Sequence, residues 1–149
     1  MRASEILAVK GKALYTIAPD KPLTEAVDIM TGHDLGSLVV FSNGSMVGML
    51  TFREVLKAVR KAGADWARVT VGEAMLSEPQ VTGPNVNLDD LRHEMIDHHQ
   101  RYVPLMDAGV LQGVISLYDV AKAVLDEKSF ENRMLKNYIK HWPEETEST

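Results

Sequence analysis

The chain contains an internal duplication that limits the folds it can adopt. A shift of 65 residues pairs 19–59 with 84–124 without a gap, and ten of the 41 pairs are identical. Average residue usage would give roughly two or three identities by chance. Because 149 residues make about one ordinary domain, the duplication predicts two copies of one unit that share it.

Each copy predicts a β-α-β-β-α unit, so the fold class is α/β (α+β). An extended segment (13–17, and 79–82 in the second copy) precedes apolar residues at helical spacing, which indicate a helix. Two apolar strands follow, joined by turns that contain Asn43-Gly44 and Ala108-Gly109. A second helix with an apolar face ends each unit.

These patterns predict four segments: a first repeat with its N-terminal segment at 1–62, a linker at 63–69, a second repeat at 70–126, and a C-terminal helix with an acidic tail at 127–149. The last helix carries an apolar stripe through Phe130, Met134 and Tyr138. Such a stripe indicates either packing within the chain or docking of a partner, most simply a second copy.

Composition excludes several classes of protein. The net charge of −5 argues against a nucleic-acid-binding protein, which usually shows a basic footprint. The chain has no Cys, so it contains no disulfide framework. It has neither the long apolar run of a membrane span nor the apolar core of a signal peptide, so we expect a cytoplasmic protein.

A hydroxyl residue and an acid recur three positions apart at the start of each copy's second helix. Thr51-x-x-Glu54 fits a capping box, in which the hydroxyl caps an early amide and the acid reaches back to the N-cap amide. Ser116-x-x-Asp119 fits it less well, because Asp is shorter. We therefore interpret Ser116 and Asp119 primarily as a ligand site. We interpret Thr51 and Glu54 primarily as a helix cap that can also bind a ligand.

No metal or catalytic site is predicted. His93, His98 and His99 lie close in sequence, but 93 and 98 are five apart, whereas helical ligand pairs are three or four apart. Ser116 lies in no recognised nucleophile elbow.

The repeated phrase also resembles a known ligand motif. Gly113 to Asp119 matches the pattern Gly-x-x-Ser/Thr-x-x-Asp at every fixed position, and Gly48 to Glu54 matches it except for Glu. On these residues the chain resembles a tandem pair of CBS domains (a Bateman module) over roughly 2–125, and looks like a stand-alone CBS-pair protein. The resemblance implies two repeats related by a pseudo-twofold axis.

The resemblance further implies an adenosine-containing ligand (AMP, ADP, ATP, S-adenosylmethionine or NAD) in the clefts between the copies. The acid would accept hydrogen bonds from the ribose hydroxyls, and arginines would contact phosphates. Each cleft would combine the motif of one copy with early strands of the other. One would join Ser116, Tyr118 and Asp119 to Lys12, Tyr15, Thr16, Leu35, Gly36 and Ser37. The other would join Thr51, Arg53 and Glu54 to Val81, Thr82, His99, Arg101, Tyr102 and Pro104.

The expected function is that of a non-catalytic regulatory sensor that passes ligand occupancy to an unknown protein target. We expect a homodimer that buries the second helices of each copy (52–60 and 117–126), reinforced by 128–141. Two alternatives remain open: a ligand-free structural module in which both hydroxyl–acid pairs only cap helices, and a small hydrolase that acts on a nucleotide.

Overall fold

The computed structural model describes residues 1–11 and 14–140. The helices and strands follow the chain in this order: α1 (Ala3–Lys10), β1 (Thr16–Ile17), α2 (Leu23–Gly32), β2 (Ser37–Ser42), β3 (Ser45–Thr51), α3 (Phe52–Ala62), a 3₁₀ segment (Gly63–Arg68), α4 (Val71–Ala74), α5 (Leu88–Asp97), β4 (Tyr102–Asp107), β5 (Val110–Ser116) and α6 (Leu117–Lys140). The result is the predicted mixed α/β fold of two repeats. In the part of the chain that is described, no helix is both long and apolar enough to cross a membrane.

The two repeats differ in their sheets. In the first, β1 pairs in parallel with β2, which pairs antiparallel with β3. In the second, β4 and β5 form a hairpin, and the predicted strand at 79–82 is reduced to one parallel bridge between Thr82 and Leu105. Pro79 and Pro84 flank that bridge. Because proline has no N–H to donate to a ladder, the bridge does not extend into a strand.

Both predicted hairpins are confirmed, and both close with two-residue turns. Asn43 and Gly44 have φ angles of 52° and 79°, and Ala108 and Gly109 have 50° and 79°. Positive φ at both central residues is the signature of the type I′ turn, whose twist matches that of the flanking strands. Asn and Gly tolerate this conformation, whereas Ala adopts it at a cost.

The repeats exchange their leading segments. Ala3, Ile6 and Leu7 of α1 are buried in the core of the second repeat, whereas Val71 of α4 is buried in the core of the first. Matching hydrogen bonds hold the two segments: the Ala3 amide donates to the Val86 carbonyl over 2.8 Å, and the Val71 amide donates to the Lys21 carbonyl over 2.9 Å. The N-terminal segment therefore belongs by packing to the second core.

The close approach of these segments explains the glycine at the start of each repeated motif, Gly48 and Gly113. A Cβ on Gly48 would lie 2.6 Å from the Met75 sulfur, and a Cβ on Gly113 would lie 2.7 Å from a methyl carbon of Leu7. A Cβ at Gly48 would press on the Met75 side chain and the Leu76 carbonyl, and one at Gly113 on the Leu7 side chain, so these residues would have to shift to admit it. The same contact in both copies is consistent with the expected pseudo-twofold relation.

The last two predicted helices form one. Helix α6 runs for 24 residues without interruption, because no Gly or Pro separates the second repeat from the terminal segment. Its side chains beyond residue 127 are exposed, including the stripe through Phe130 and Met134. The predicted acidic tail at 141–149 lies outside the described residues.

Candidate functional site

The first hydroxyl–acid pair caps helix α3. The Thr51 hydroxyl accepts a hydrogen bond from the Arg53 amide over 3.2 Å. Oε1 of Glu54 accepts from the Thr51 amide over 3.1 Å and from the Thr51 hydroxyl over 2.7 Å. This is the predicted capping box. Only one carboxylate oxygen takes part in these contacts, so the other can accept hydrogen bonds from a ligand.

The second pair caps helix α6 in the same way. The Ser116 hydroxyl accepts from the Asp119 amide over 3.0 Å, and Asp119 Oδ2 accepts from the Ser116 amide over 2.8 Å. The expectation that Asp would reach back less easily was wrong. In a helix each Cα–Cβ bond tilts toward the N-terminus, so the shorter carboxylate already lies close to the N-cap amide.

Asp119 has a further partner that Glu54 lacks. Lys10 Nζ lies 2.9 Å from Asp119 Oδ2 and also donates to the Val114 carbonyl over 2.8 Å. Burial alone would raise the pKa of Asp119, but hydrogen bonds from the Ser116 amide and the Lys10 ammonium outweigh it, so this pKa lies below its ordinary value. The carboxylate is held ionised by groups of the chain itself.

The exchanged segments explain why only one copy has this lysine contact. In the first copy Leu76 forms an antiparallel bridge with Met49, and the Leu76 amide donates to the Met49 carbonyl over 2.8 Å. Val114 is the repeat partner of Met49. Helix α1 continues to Lys10 instead of becoming extended, so the lysine ammonium, rather than a backbone amide, meets this edge of β5.

Tyr102, predicted for one cleft, contacts Gly36, which is predicted for the other. A Cβ on Gly36 would overlap the Tyr102 hydroxyl, so that hydroxyl lies directly against the Gly36 backbone. Its ring packs edge-on against Phe52, with centroids 6.3 Å apart. Burial raises the pKa of Tyr102; nearby Arg101 opposes this rise, and Asp119 adds to it. Lys10 thus pairs with Asp119, and Tyr102 contacts Gly36 and is influenced by Asp119. We call the predicted cleft that includes Gly36 and Asp119 the Lys10 cleft.

On the other side the same two repeats leave a cleft of about 910 Å³, which we call the open cleft. Met49 of β3, Leu76 just beyond α4, and Met95 and Ile96 of α5 contribute apolar walls. The polar lining includes cationic side chains from both repeats, and Arg101 lies over the Phe52 ring, 5.3 Å from its centroid. A concave apolar site with a few convergent polar groups is the usual form of a small-molecule site.

The open cleft brings together six of the predicted site residues, three from each repeat: Thr51, Arg53, Glu54, His99, Arg101 and Tyr102. Three others do not line it. Val81 is exposed, Pro104 is buried in β4, and the Thr82 hydroxyl is buried without a hydrogen-bond partner.

The residues predicted for the other cleft are more dispersed. Tyr15 packs against His33, Thr16 pairs with Val39 in the sheet, and Tyr118 is 76% exposed. The other predicted residues make main-chain contacts within the first repeat. The Leu35 amide donates to the Met30 carbonyl, the Gly36 carbonyl accepts from the Phe52 amide, and Ser37 pairs with Thr51 in the sheet. Lys12 lies outside the described residues.

Sequence reasoning missed two groups of charged side chains at these candidate sites. Lys57 and Arg60 line the open cleft one and two turns after Arg53. Their spacing of four and seven residues from Arg53 was a signal that could have revealed them. Lys10 carried no such signal, because its contact with Asp119 joins residues 109 positions apart. Among residues 1–11 and 14–140, no group of three or more His, Asp or Glu side chains could hold a metal ion.

Two tandem repeats with exchanged leading segments and clefts between them define a particular class of repeat protein. The family model of the CBS domain matches residues 6–61 and 71–126. The chain therefore belongs to the CBS-domain family, as a tandem pair.

Known proteins support this assignment. The CBS domain-containing protein YhcV of Bacillus subtilis is 31% identical over 114 residues, which cover 76% of this chain and 81% of that protein. The crystal structure of the CBS-domain containing protein ATU1752 from Agrobacterium tumefaciens matches with a TM-score of 0.79 and 32% identity, over 83% of this chain and 98% of that one. The crystal structure of CBSX2 in complex with AMP shares the fold at a TM-score of 0.67 and 22% identity, over 77% of this chain and 90% of that one.

Proposed function

We propose that this protein is a non-catalytic regulatory module that binds an adenosine-containing ligand in the open cleft. The main support for this proposal is that five predicted site residues from the two repeats line the same cleft: Thr51, Arg53 and Glu54 from one, and Arg101 and Tyr102 from the other. A related fold that binds AMP supports the ligand class. Ligand bound between the repeats would stabilise one arrangement of them, and a protein target would respond to that arrangement.

Each part of the cleft suits one part of such a ligand. Met49, Leu76 and Ile96 offer apolar surface for an adenine ring. The Glu54 oxygen that is not used in the cap can accept hydrogen bonds from the ribose hydroxyls. The Arg53 and Arg101 guanidinium groups can bind a phosphate through paired N–H donors.

The second predicted site is proposed as a latent one. Ser116, Tyr118 and Asp119, with Tyr15, Thr16, Leu35, Gly36 and Ser37, would bind a ligand only after Lys10 leaves the Asp119 carboxylate. We therefore propose one bound ligand per chain.

The ligand class is tested by calorimetry with AMP, GMP and 2′-deoxyadenosine 5′-monophosphate. We expect AMP to bind with a stoichiometry near one, GMP to bind weakly, and the 2′-deoxy compound to lose about a decade of affinity with one charge-assisted hydrogen bond. Equal affinity for all three would show that neither the base nor the ribose is recognised. In a thermal melt, AMP at a hundred times its Kd should add about 2.7 kcal/mol of stability.

A ligand-free structural module is the second candidate, and one observation favours it. Both hydroxyl–acid pairs already act as helix caps, so their presence in the sequence has a structural reason without a ligand. The absence of any heat or melting shift with the three nucleotides would leave this candidate standing and remove the first.

We also propose that the module is a homodimer. Leu56 of α3 and Leu125 of α6 are each 65% exposed, on the second helices of the two copies. Phe130 and Leu135 continue the exposed apolar surface along α6. Burying such surface is favourable in proportion to its area. Light scattering should give twice the chain mass at micromolar concentration, and a monomer at high micromolar concentration would contradict this proposal.

A further inference from the structure

Helix α3 carries three cationic side chains along the open cleft. Arg53, Lys57 and Arg60 all line it, at positions i, i+4 and i+7. At 1.5 Å per residue these positions extend over roughly 10 Å of the helix. We call these three residues the α3 cation row.

The α3 cation row has no ion-pair partner in the described part of the chain. The ion pairs found there involve the N-terminus, Lys10 and Arg92. Of the two carboxylates that line the cleft, Glu54 accepts hydrogen bonds within its capping box, and no ion pair joins Glu78 to the row. A chain with a net charge of −5 thus concentrates unpaired positive charge in the open cleft. Such a site attracts anions.

The other repeat shows that this arrangement is not a general property of the fold. The repeat partners of Arg53, Lys57 and Arg60 are Tyr118, Lys122 and Leu125. The equivalent face of α6 therefore has one cation where α3 has three. The difference lies on one side of an otherwise duplicated framework, so it distinguishes the open cleft from its counterpart.

The order of the residues along α3 fixes the direction of the ligand. Glu54, proposed to accept from the ribose, lies beside Arg53 in the first turn of the helix. A single phosphate on that ribose would meet Arg53 and, from the other repeat, Arg101. Lys57 and Arg60 lie one and two turns farther along the helix, so only a longer chain of phosphates would reach them.

We propose that the open cleft selects an adenosine ligand with an oligophosphate chain over the corresponding monophosphate. This inference rests on the proposed function of the same cleft and adds the length of the anionic chain. Lys57 and Arg60 determine this selectivity by binding the phosphates beyond the first.

The test is calorimetry of the full chain with AMP, ADP and ATP, without added divalent cation. For the wild type we expect affinity to rise along this series, with ATP at least about tenfold tighter than AMP, because two more charge-assisted contacts form. Lys57→Gln combined with Arg60→Gln should lower ATP affinity far more than AMP affinity, so that the ratio of the ATP to the AMP association constant falls close to one. The ratio should also shrink with added salt, since exposed charges are screened.

Lys122→Gln provides the matched control, because it removes the repeat partner of Lys57 from the other helix. It should leave the ATP to AMP ratio of the wild type unchanged. If AMP and ATP bind the wild type equally, the oligophosphate inference is wrong while the adenosine site stands. If none of the three nucleotides binds, the proposed function fails and the inference fails with it. If Lys122→Gln lowers the ratio as much as the double variant does, the selectivity does not lie in the α3 cation row.

Discussion

The open cleft and the Lys10 cleft use the same local design but differ in what surrounds it. Each has a glycine, a hydroxyl residue and an acid, and in each the hydroxyl and acid cap a helix. In the open cleft the acid is Glu54, and three cations lie along the same helix, α3. In the Lys10 cleft the acid is Asp119, and a lysine of the chain itself lies 2.9 Å from it.

The difference originates in the exchanged segments rather than in the motifs. Helix α4 ends at Ala74, and Leu76 then pairs with the edge of β3, whereas α1 continues to Lys10. Pro79 disfavours a helical conformation at the residue before it, which is consistent with the extended chain there. In the first repeat the exchanged segment thus pairs as an extended chain with the edge of β3, whereas in the second repeat it is the end of a helix. Only the helix end places a cation beside the acid. Two copies of one motif need not be two equivalent sites.

Glu54→Ala should have the largest effect and tests whether the open cleft is the binding site. Loss of two charge-assisted hydrogen bonds to the ribose, each worth about 1.5–3 kcal/mol, should weaken AMP binding by about a hundredfold or more. Calorimetry measures the change, and Asp119→Ala, which acts on the other cleft, should leave this affinity within a few fold. If Asp119→Ala abolishes binding while Glu54→Ala does not, our assignment of the two clefts is reversed.

Lys10→Ala should convert the Lys10 cleft into a second site. Removing the ammonium frees the Asp119 carboxylate, so the stoichiometry of AMP should rise from about one to two per chain. Lys10→Arg is the control, because it keeps a cation that can pair with Asp119. A stoichiometry of two in the wild type would show instead that Lys10 does not block the cleft.

The pH dependence of stability should report the Asp119 cluster. The pKa of Asp119 is lower in the folded chain than its ordinary value of 3.8, so its contribution to stability is fully present above that value. It is lost as the pH falls below 3.8 and through the lower pKa of the folded state. The melting temperature of the wild type should therefore fall more steeply in this acid range than that of Asp119→Asn. Identical acid profiles for the two proteins would contradict the paired carboxylate.

Substitutions in the two hairpin turns should change the free energy of unfolding by smaller amounts and in opposite directions. Ala108→Asn should stabilise the chain by about 0.5–1 kcal/mol, because Asn tolerates the positive φ that Ala adopts at a cost. Asn43→Ala should destabilise it by a similar amount for the same reason. Denaturant unfolding measures both, and a loss of stability in Ala108→Asn would show that this position is not strained.

Thr82→Val should have the smallest effect and tests a predicted site residue. The Thr82 hydroxyl is buried without a hydrogen-bond partner, and its repeat partner is Ile17. An apolar replacement of similar shape should raise the free energy of unfolding by up to about 1 kcal/mol and leave nucleotide affinity unchanged. If the variant binds AMP more weakly, Thr82 contacts the ligand after all.

Much of the fold was predictable because its signals are local and occur twice. Helical periodicity, the turns at Asn43-Gly44 and Ala108-Gly109, and the repeated glycine phrase each depend on residues close together in the chain. The shift of 65 residues then related the two units. Prediction failed where local signals were weak, as at 79–82, where a short segment between prolines forms one bridge instead of a strand.

By itself the sequence determined the two repeats, their hairpins, the helix caps and the pairing of the Thr51 motif with Arg101 and Tyr102 through the resemblance. Only the tertiary structure decided what lies against these residues: Lys10 meets Asp119, and the Tyr102 hydroxyl meets Gly36. Both contacts join residues far apart in the chain, and the first exists because α1 packs into the core of the second repeat. Periodicity and motif spacing describe neighbours along the chain, so neither could reveal this exchange.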